Sequence, residues 1–241
     1  MADEGFTHPR LAAIYDAVEP DRGDLDAYVR MVEEFGARRV LDIGCGTGVF
    51  ALLLAGRGIE VVGVDPALAS LDVARGKPGS ERVRWIHGDA SGLPALRVDL
   101  VTMTANVAQQ IVEADAWRET LRGAYTALRP GGRLVFETRD PARRAWEEWH
   151  RDASYVVTDV PGVGAVERWV EVTGVDGQLV SFRWSHVFAA DGRTLTSDST
   201  LRFRERGEVE AELVARGFVV EDVRDAPDRP GKELVFVARR P

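Results

Sequence analysis

Cysteine and lysine are almost absent from this chain. Cys45 is the only cysteine in 241 residues, so neither an intrachain disulfide nor a cysteine-built zinc site can form. That usage fits a reducing compartment, and a cytoplasmic location is expected. Lysine occurs only at Lys77 and Lys232. The remaining positive charge is arginine, a coding preference to which we give no functional weight. The four histidines show no metal-ligand spacing, and a metal-free protein is expected. Net charge is −8, a field that repels nucleic acid and anionic membrane surfaces. Long apolar runs are missing too; none approaches the roughly 20 residues of a membrane span. The opening MADEGFTHPR has no basic segment followed by an apolar core, so no secretion signal is expected.

What is present is an ordinary globular composition, 45% hydrophobic and 29% charged. The length suits one substantial domain, or a domain with an insertion. The chain is organised around VLDIGCGTG, Val40 to Gly48. Val40, Leu41 and Ile43 read as a buried strand interrupted by Asp42. Gly44, Gly46 and Gly48 then alternate with Cys45 and Thr47, and a helical pattern begins at Val49. Strand, glycine turn and helix form a nucleotide-binding geometry, because glycine lets main chain approach a ligand where a Cβ would collide.

Around that stretch, strands and helices alternate. Residues 1–10 read as loosely ordered, and helices are expected over Leu11–Val18 and from an Asp24 cap to Phe35, closed by Gly36. Strands are expected at 39–43, 60–65, 83–86, 98–104 and 133–138, with helices between them. Such alternation implies a parallel sheet covered on both faces. The pattern changes at Arg139. A helix over Ala142–His150 is expected, then β runs at about 165–173, 178–188 and 193–204, joined by short glycine turns. Short connections make antiparallel neighbours, so this is an inserted meander. A helix at about 208–216 and an antiparallel pair at 218–224 and 233–239 close the chain. The domain organisation expected is a helical cap over 1–36, a cofactor-binding core over 37–138, an inserted acceptor lid over 139–204, and closing elements of the core over 205–241.

Three strand ends carry chemistry. The glycine turn points backbone N–H groups and a helix N-terminus at its occupant. Asp65 ends the second strand at the same sheet edge, where a carboxylate can accept both hydroxyls of a ribose; it can equally cap the helix after Pro66. Asp89 and Ala90 follow the third strand. The Asp89 carboxylate can accept from an exocyclic amine and the Ala90 N–H can donate to a ring nitrogen, or the carboxylate can serve as a loop cap. Three consecutive strand ends of one polarity point to a bound cofactor.

In order, VLDIGCGTG, VVGVDPA, IHGDA and LRPGGRLVFE resemble the class I S-adenosylmethionine-dependent methyltransferases. The resemblance covers about residues 37–138 and the closing strands. It implies an α/β, Rossmann-like, doubly wound fold with a mainly parallel seven-stranded sheet whose last strand is reversed, here with the antiparallel meander inserted. It implies S-adenosylmethionine as cofactor and S-adenosylhomocysteine as product. Gly44, Cys45 and Gly46 would line the methionine part and ribose, with Asp42 near the methionine amine. Asp65 would hold the ribose hydroxyls, Pro66 would lie against the adenine, and Asp89 and Ala90 would read its edge. Met103, Thr104 and Ala105 would present backbone to the methionine amine. Tyr15, followed by Asp16, resembles a tyrosine that closes over the cofactor, although helix packing alone can also account for it. A dehydrogenase using NAD would want Gly-x-Gly-x-x-Gly, and here position 48 is Gly and position 49 is Val.

The expected reaction is methyl transfer to an oxygen, nitrogen or carbon atom of a small molecule, with neither nucleic acid nor membrane as partner. A cofactor-binding protein without transferase activity is the alternative. Asn106-Val107-Ala108 follows the fourth strand where base-amino methylases carry Asn-Pro-Pro-aromatic, and Cys45 belongs to the cofactor loop rather than to a nucleophile site. Candidate acceptor-pocket residues are Asn106, Trp146 and Trp184. Phe182, Trp184, His186 and Phe188 share one strand face, which is either an aromatic pocket with His186 as base or a meander packed on the core. Gln109 and Arg139 are the other candidates for orienting the acceptor.

Overall fold

A computed structural model describes residues 3–241. Helices α1 (Glu4–Thr7), α2 (Pro9–Val18) and α3 (Leu25–Glu34) come first. The alternating core follows as β1 (Arg39–Ile43), α4 (Val49–Gly56), β2 (Glu60–Asp65), α5 (Leu68–Gly76), β3 (Val83–His87), β4 (Val98–Met103), α6 (Val107–Gln110), α7 (Ala114–Ala127) and β5 (Leu128–Arg139). A short α8 (Arg151–Ser154) leads into β6 (Val156–Val160), β7 (Gly164–Asp176), β8 (Leu179–Phe188) and β9 (Thr194–Arg202). Then come α9 (Arg206–Ala215), β10 (Val219–Asp225) and β11 (Glu233–Arg239).

The larger sheet has seven strands in the order β10-β11-β5-β4-β1-β2-β3. Strand β11 runs antiparallel to β5 and β10, and the pairs β5–β4, β4–β1, β1–β2 and β2–β3 are parallel. Side-chain alternation sorts the core into two layers. Leu41, Ile43, Val101, Met103, Leu134, Phe136 and Phe236 face α7 and α9, while Val40, Val61, Leu100, Val135 and Val237 face α3 and α4. Phe136 stacks on Phe236 at 5.2 Å and meets Trp117 of α7 edge-on at 5.5 Å. Burying a side chain of that size contributes about 2–3 kcal/mol. No helix among the described residues is long and apolar enough to cross a membrane.

The second sheet is antiparallel, in the order β6-β7-β8-β9. Its extra strand β6 was hidden in the sequence, because Val156–Val160 is short and joins β7 through a Pro161-Gly162 turn. One face packs on α2, with Val166 and Phe188 against Leu11, Ile14 and Val18.

Three local expectations need correction. Within the 1–10 stretch, Glu4–Thr7 and Pro9 onward are helical, not loose. Distant side chains hold them: Ser197 Oγ accepts from Gly5 N–H at 2.7 Å, and Ser70 Oγ donates to Phe6 O at 2.9 Å. Met1 and Ala2 lie outside the described residues. The helix expected over 142–150 is instead two 3₁₀ turns, Pro141–Arg143 and Ala145–Glu148, separated by Arg144 at φ +45°. Trp146 and Trp149 override the helical register by packing edge-on against Phe203 and Phe182. Asp24 does not cap α3; its carboxylate pairs with Arg22 at 3.1 and 3.2 Å.

Gly123 lies inside α7, where a Cβ would sit 1.9 Å from Ala90 O. An alanine in an open helix position normally gains up to about 1 kcal/mol over glycine. Here Gly123→Ala is expected to destabilise by about 1–3 kcal/mol, as overpacking does, and to lower the melting temperature. A raised melting temperature would contradict this close approach.

Candidate functional site

Parallel strands deliver their C-terminal ends to one sheet edge, and a cavity of about 1070 Å³ opens there. Its floor is the glycine turn. The N–H groups of Gly44 and Cys45 both donate to Val64 O, at 2.8 and 3.2 Å, which fastens the turn to β2. Gly46 has φ +52° and open space where a Cβ would point. A ligand can therefore rest directly on its main chain.

Asp65 crosses this floor. Its Oδ2 accepts from Gly46 N–H at 2.8 Å and its Oδ1 accepts from Ala67 N–H at 2.7 Å. Each oxygen keeps a further lone pair for a hydroxyl. Burial raises its pKa, against the lowering effect of the two backbone bonds. Asp42 is 1% exposed and accepts from Thr102 Oγ1 at 3.0 Å. Burial, ahead of the Asp65 charge, pushes it up to about 7. Asp89 accepts from the N–H of Ser91 at 2.8 Å and from its hydroxyl, and these bonds hold its pKa below the ordinary value.

The N-terminal segment covers the cleft. Phe6 and Tyr15 line it with their rings 5.7 Å apart. Next to Tyr15, Asp16 accepts from Thr47 Oγ1 of the glycine turn at 2.6 Å and forms an ion pair with Lys77. Arg22 also lines the cleft, within electrostatic reach of Asp42. The opposite wall is the segment 104–113, contributed between β4 and α7. It begins with Ala105 and Asn106, both left-handed at φ +57° and +59°, a conformation that costs about 1–3 kcal/mol for each non-glycine residue.

A family model described as a methyltransferase domain matches residues 40–132. Residues 40–132 thus resemble a methyltransferase domain, and the chain has the fold of the class I S-adenosylmethionine-dependent methyltransferases. It is 35% identical over 147 residues to the cypemycin N-terminal methyltransferase of Streptomyces sp, covering 59% of this chain and 60% of that protein. It thus spans less than two thirds of the curated relatives it matches first. CalS10, an amino pentose methyltransferase of Micromonospora echinaspora solved with S-adenosylmethionine bound, is 25% identical, with a TM-score of 0.74 over 95% of this chain and 97% of its own. CcbJ of Streptomyces caelestis shares the fold at 22% identity, with a TM-score of 0.78 over 99% of both chains.

Within this superfamily fold, ten of the eleven residues expected around the cofactor line one cleft: Tyr15, Asp42, Gly44, Cys45 and Gly46 from the N-terminal side, and Asp65, Pro66, Asp89, Ala90 and Thr104 beyond. Met103 is not among them. Strand alternation turns it into the core, where it is fully buried. Cys45 contributes backbone, since its Sγ lies 2.9 Å from where a Gly63 Cβ would be, against the sheet. The expected acceptor residues are placed elsewhere. Asn106 is buried behind the wall, Trp146 packs on Phe203, and Trp184 lies under Arg168. His186 is 8% exposed and lines no part of the cleft; burial and Arg168 lower it to about 4, so it is neutral and packed. Gln109 is fully buried, its Oε1 accepting from Arg139 N–H at 3.3 Å and Nη1 at 3.0 Å. Both sit behind the wall, not at the mouth. The cleft instead recruits Phe182, Arg183, Asp198 and Ser199 of the meander, together with Arg22. The Ser/Thr-rich run of β9 hinted at the former; nothing in the local sequence marked Arg22.

The site predicts its own pH response. Asp42 holds its proton up to about pH 7 when folded and releases it near pH 4 when unfolded. The folded state therefore binds more protons across that window, and this contribution to stability falls as pH rises through it. Glu137, discussed below, acts in the same sense up to about 8. His186 opposes both below its ordinary value, since it stays neutral in the fold. Comparing wild type with Asp42→Asn isolates Asp42. In thermal melts, the variant's advantage should widen from about pH 4 to about pH 7 and then hold constant. A gap independent of pH would contradict the buried, protonated Asp42.

Proposed function

We propose that this chain transfers a methyl group from S-adenosylmethionine to the amine nitrogen of a small, hydroxyl-bearing molecule. The observation that carries the reading is one cleft in which Asp42, Asp65 and Asp89 surround the open face of Gly46. The donor set fits the cofactor group by group. Asp65 has lone pairs left for ribose hydroxyls, and Asp89 with Ala90 faces the adenine edge. At the other end stand Asp42, which an adjacent ammonium would deprotonate, and Arg22, opposite charges for the ammonium and carboxylate of the cofactor's amino acid. When bound, the cofactor would supply an electrophilic methyl carbon: the acceptor, having lost its ammonium proton to solvent, would form the N–C bond with its lone pair as the S–C bond breaks, the S–C electron pair would stay on sulfur, and the product would form as the methylated ammonium. The methyl group is already activated on sulfur, so the reading needs no metal.

Several features support nitrogen as the acceptor. Beyond the expected cofactor residues, the cleft is also lined by the carboxylates Asp3 and Glu113 and by Asp198, whose charge is paired with Arg183. Carboxylates attract an ammonium but are too weak as bases to deprotonate an alcohol. Thr173, Ser181, Ser199 and Thr200 add hydroxyls, and Phe182 an aromatic face. Two relatives, by their names, act on an N-terminus and an amino pentose. The meander of the 139–204 insertion then serves as acceptor lid and the 1–36 helices as cofactor cap. The protein's job is to align the acceptor behind the methyl carbon and exclude water. A cytoplasmic setting belongs to this reading, supported by the lone buried Cys45.

Isothermal titration of cofactor-stripped protein should show one S-adenosylhomocysteine bound. Near pH 7 binding should release a proton, because an ammonium beside Asp42 lowers its pKa. Asp65→Ala should weaken binding by at least about tenfold, the loss of two charge-assisted hydrogen bonds. Failure of both S-adenosylmethionine and its product to bind would sink the reading. Binding without methylation across a panel of amino sugars and small amines would favour the non-enzymatic alternative.

A further inference from the structure

The cleft wall that begins at Thr104 rests on a buried polar cluster. Behind the wall, Glu137 near the end of β5 and Glu233 at the start of β11 are 6% and 3% exposed. Glu137 Oε1 accepts from the backbone N–H of Asn106 at 2.9 Å. Glu233 Oε1 accepts from Asn106 Nδ2 at 3.2 Å and from Arg229 Nη1 at 2.7 Å. Arg139 Nε lies 3.6 Å from the same oxygen. The amide that Glu137 holds belongs to the second of the two left-handed residues, so the bond acts where the backbone resists. The far end of the wall is fastened separately. Arg204 donates to the carbonyls of Ala108 and Ile111, and Arg202 donates to Val112 O. Thr104 and Ala105, between β4 and the strained step, face the cleft.

We propose that Glu137 is a positioning residue for the methyl-donor site: its carboxylate, through the Asn106 amide, holds Ala105 and Asn106 left-handed and so keeps Thr104 and Ala105 in the cofactor wall. This rests on the cofactor reading above. The role needs an acceptor oxygen at position 137, not a negative charge. Burial, then the Glu233 carboxylate, raises Glu137 to about 8, and the protonated form still accepts from an N–H. Gln keeps such an oxygen, and Leu fills the volume without one.

Titration with S-adenosylhomocysteine tests this on wild type, Glu137→Gln and Glu137→Leu. Glu137→Gln should bind within about twofold of wild type, and Glu137→Leu should bind at least about tenfold more weakly. Hydrogen exchange should be faster over residues 104–110 in Glu137→Leu, with β4 and β5 still protected. A purely structural role would lower stability in both variants without this rescue by Gln. Equal affinity of all three proteins, or equal loss in both variants, would overturn the proposal. If Glu137→Leu does not fold, the Asn106 amide of the wild type decides. Slow exchange, slower still with ligand, supports the proposal; exchange at the rate of an open loop overturns it. Absence of binding by wild type would instead remove the cofactor reading itself.

Discussion

One carboxylate, Asp65, joins the two backbone segments on which the cleft depends. Its oxygens accept from Gly46 N–H and Ala67 N–H, so the glycine turn after β1 and the approach to α5 after β2 are set by the same group. Removing it would leave Gly46 N–H and Ala67 N–H without their side-chain acceptor, while the Gly44 and Cys45 bonds to Val64 still hold the turn. Strand register makes this possible. Asp42 pairs with Gly63 and Ile43 with Val64, so β1 and β2 end in step and Asp65 projects under the turn. Gly63 must be small there, because a Cβ would meet Cys45 Sγ and the Trp85 ring within 3.0 Å. The floor of the cleft is thus a consequence of parallel pairing, glycine at two specific positions, and one half-satisfied carboxylate.

The covering elements are held in two ways. Leu11, Ile14 and Val18 of α2 are buried against Val166 and Phe188 of the meander. Asp16 with Lys77 and Thr47, Gly5 with Ser197, and Arg10 with Asp191 add polar ties across the cleft and onto the meander. The partly exposed ion pairs among them are each worth about 1 kcal/mol or less, so the apolar cluster carries most of the attachment.

The clustering of the strand-end residues at one cleft was legible because its signals are local. Gly44, Gly46, Asp65 and Asp89 sit at strand ends whose positions follow from short apolar runs, and parallel pairing then brings them to one edge. Parallel pairing followed from the same runs and the antiparallel β10–β11 pair from the tight link before Glu233, while the seven-stranded sheet with its reversed last strand was implied by the resemblance. The meander's share of the cleft was not legible, because its signals are tertiary. Trp146 and Trp184 looked like pocket aromatics by spacing, but Phe203 and Arg168 claim them. His186 shared a face with Phe182, yet only Phe182 reaches the cleft. Arg22 lies in a Pro/Gly-bounded link with no periodicity, and its value comes from standing near Asp42 in space. Alternation along β4 alternately faces the two core layers, so the Met103 side chain falls on the α7 side and only its backbone could serve the cleft.

The central claim is that these strand ends hold S-adenosylmethionine in one orientation. A crystal structure of the protein with S-adenosylhomocysteine tests it most directly. The account predicts ribose hydroxyls on Asp65, the adenine edge at Asp89 and Ala90, and the amino acid end between Asp42 and Arg22. A ligand seated elsewhere, or reversed so that its adenine lies at Asp42, would contradict it.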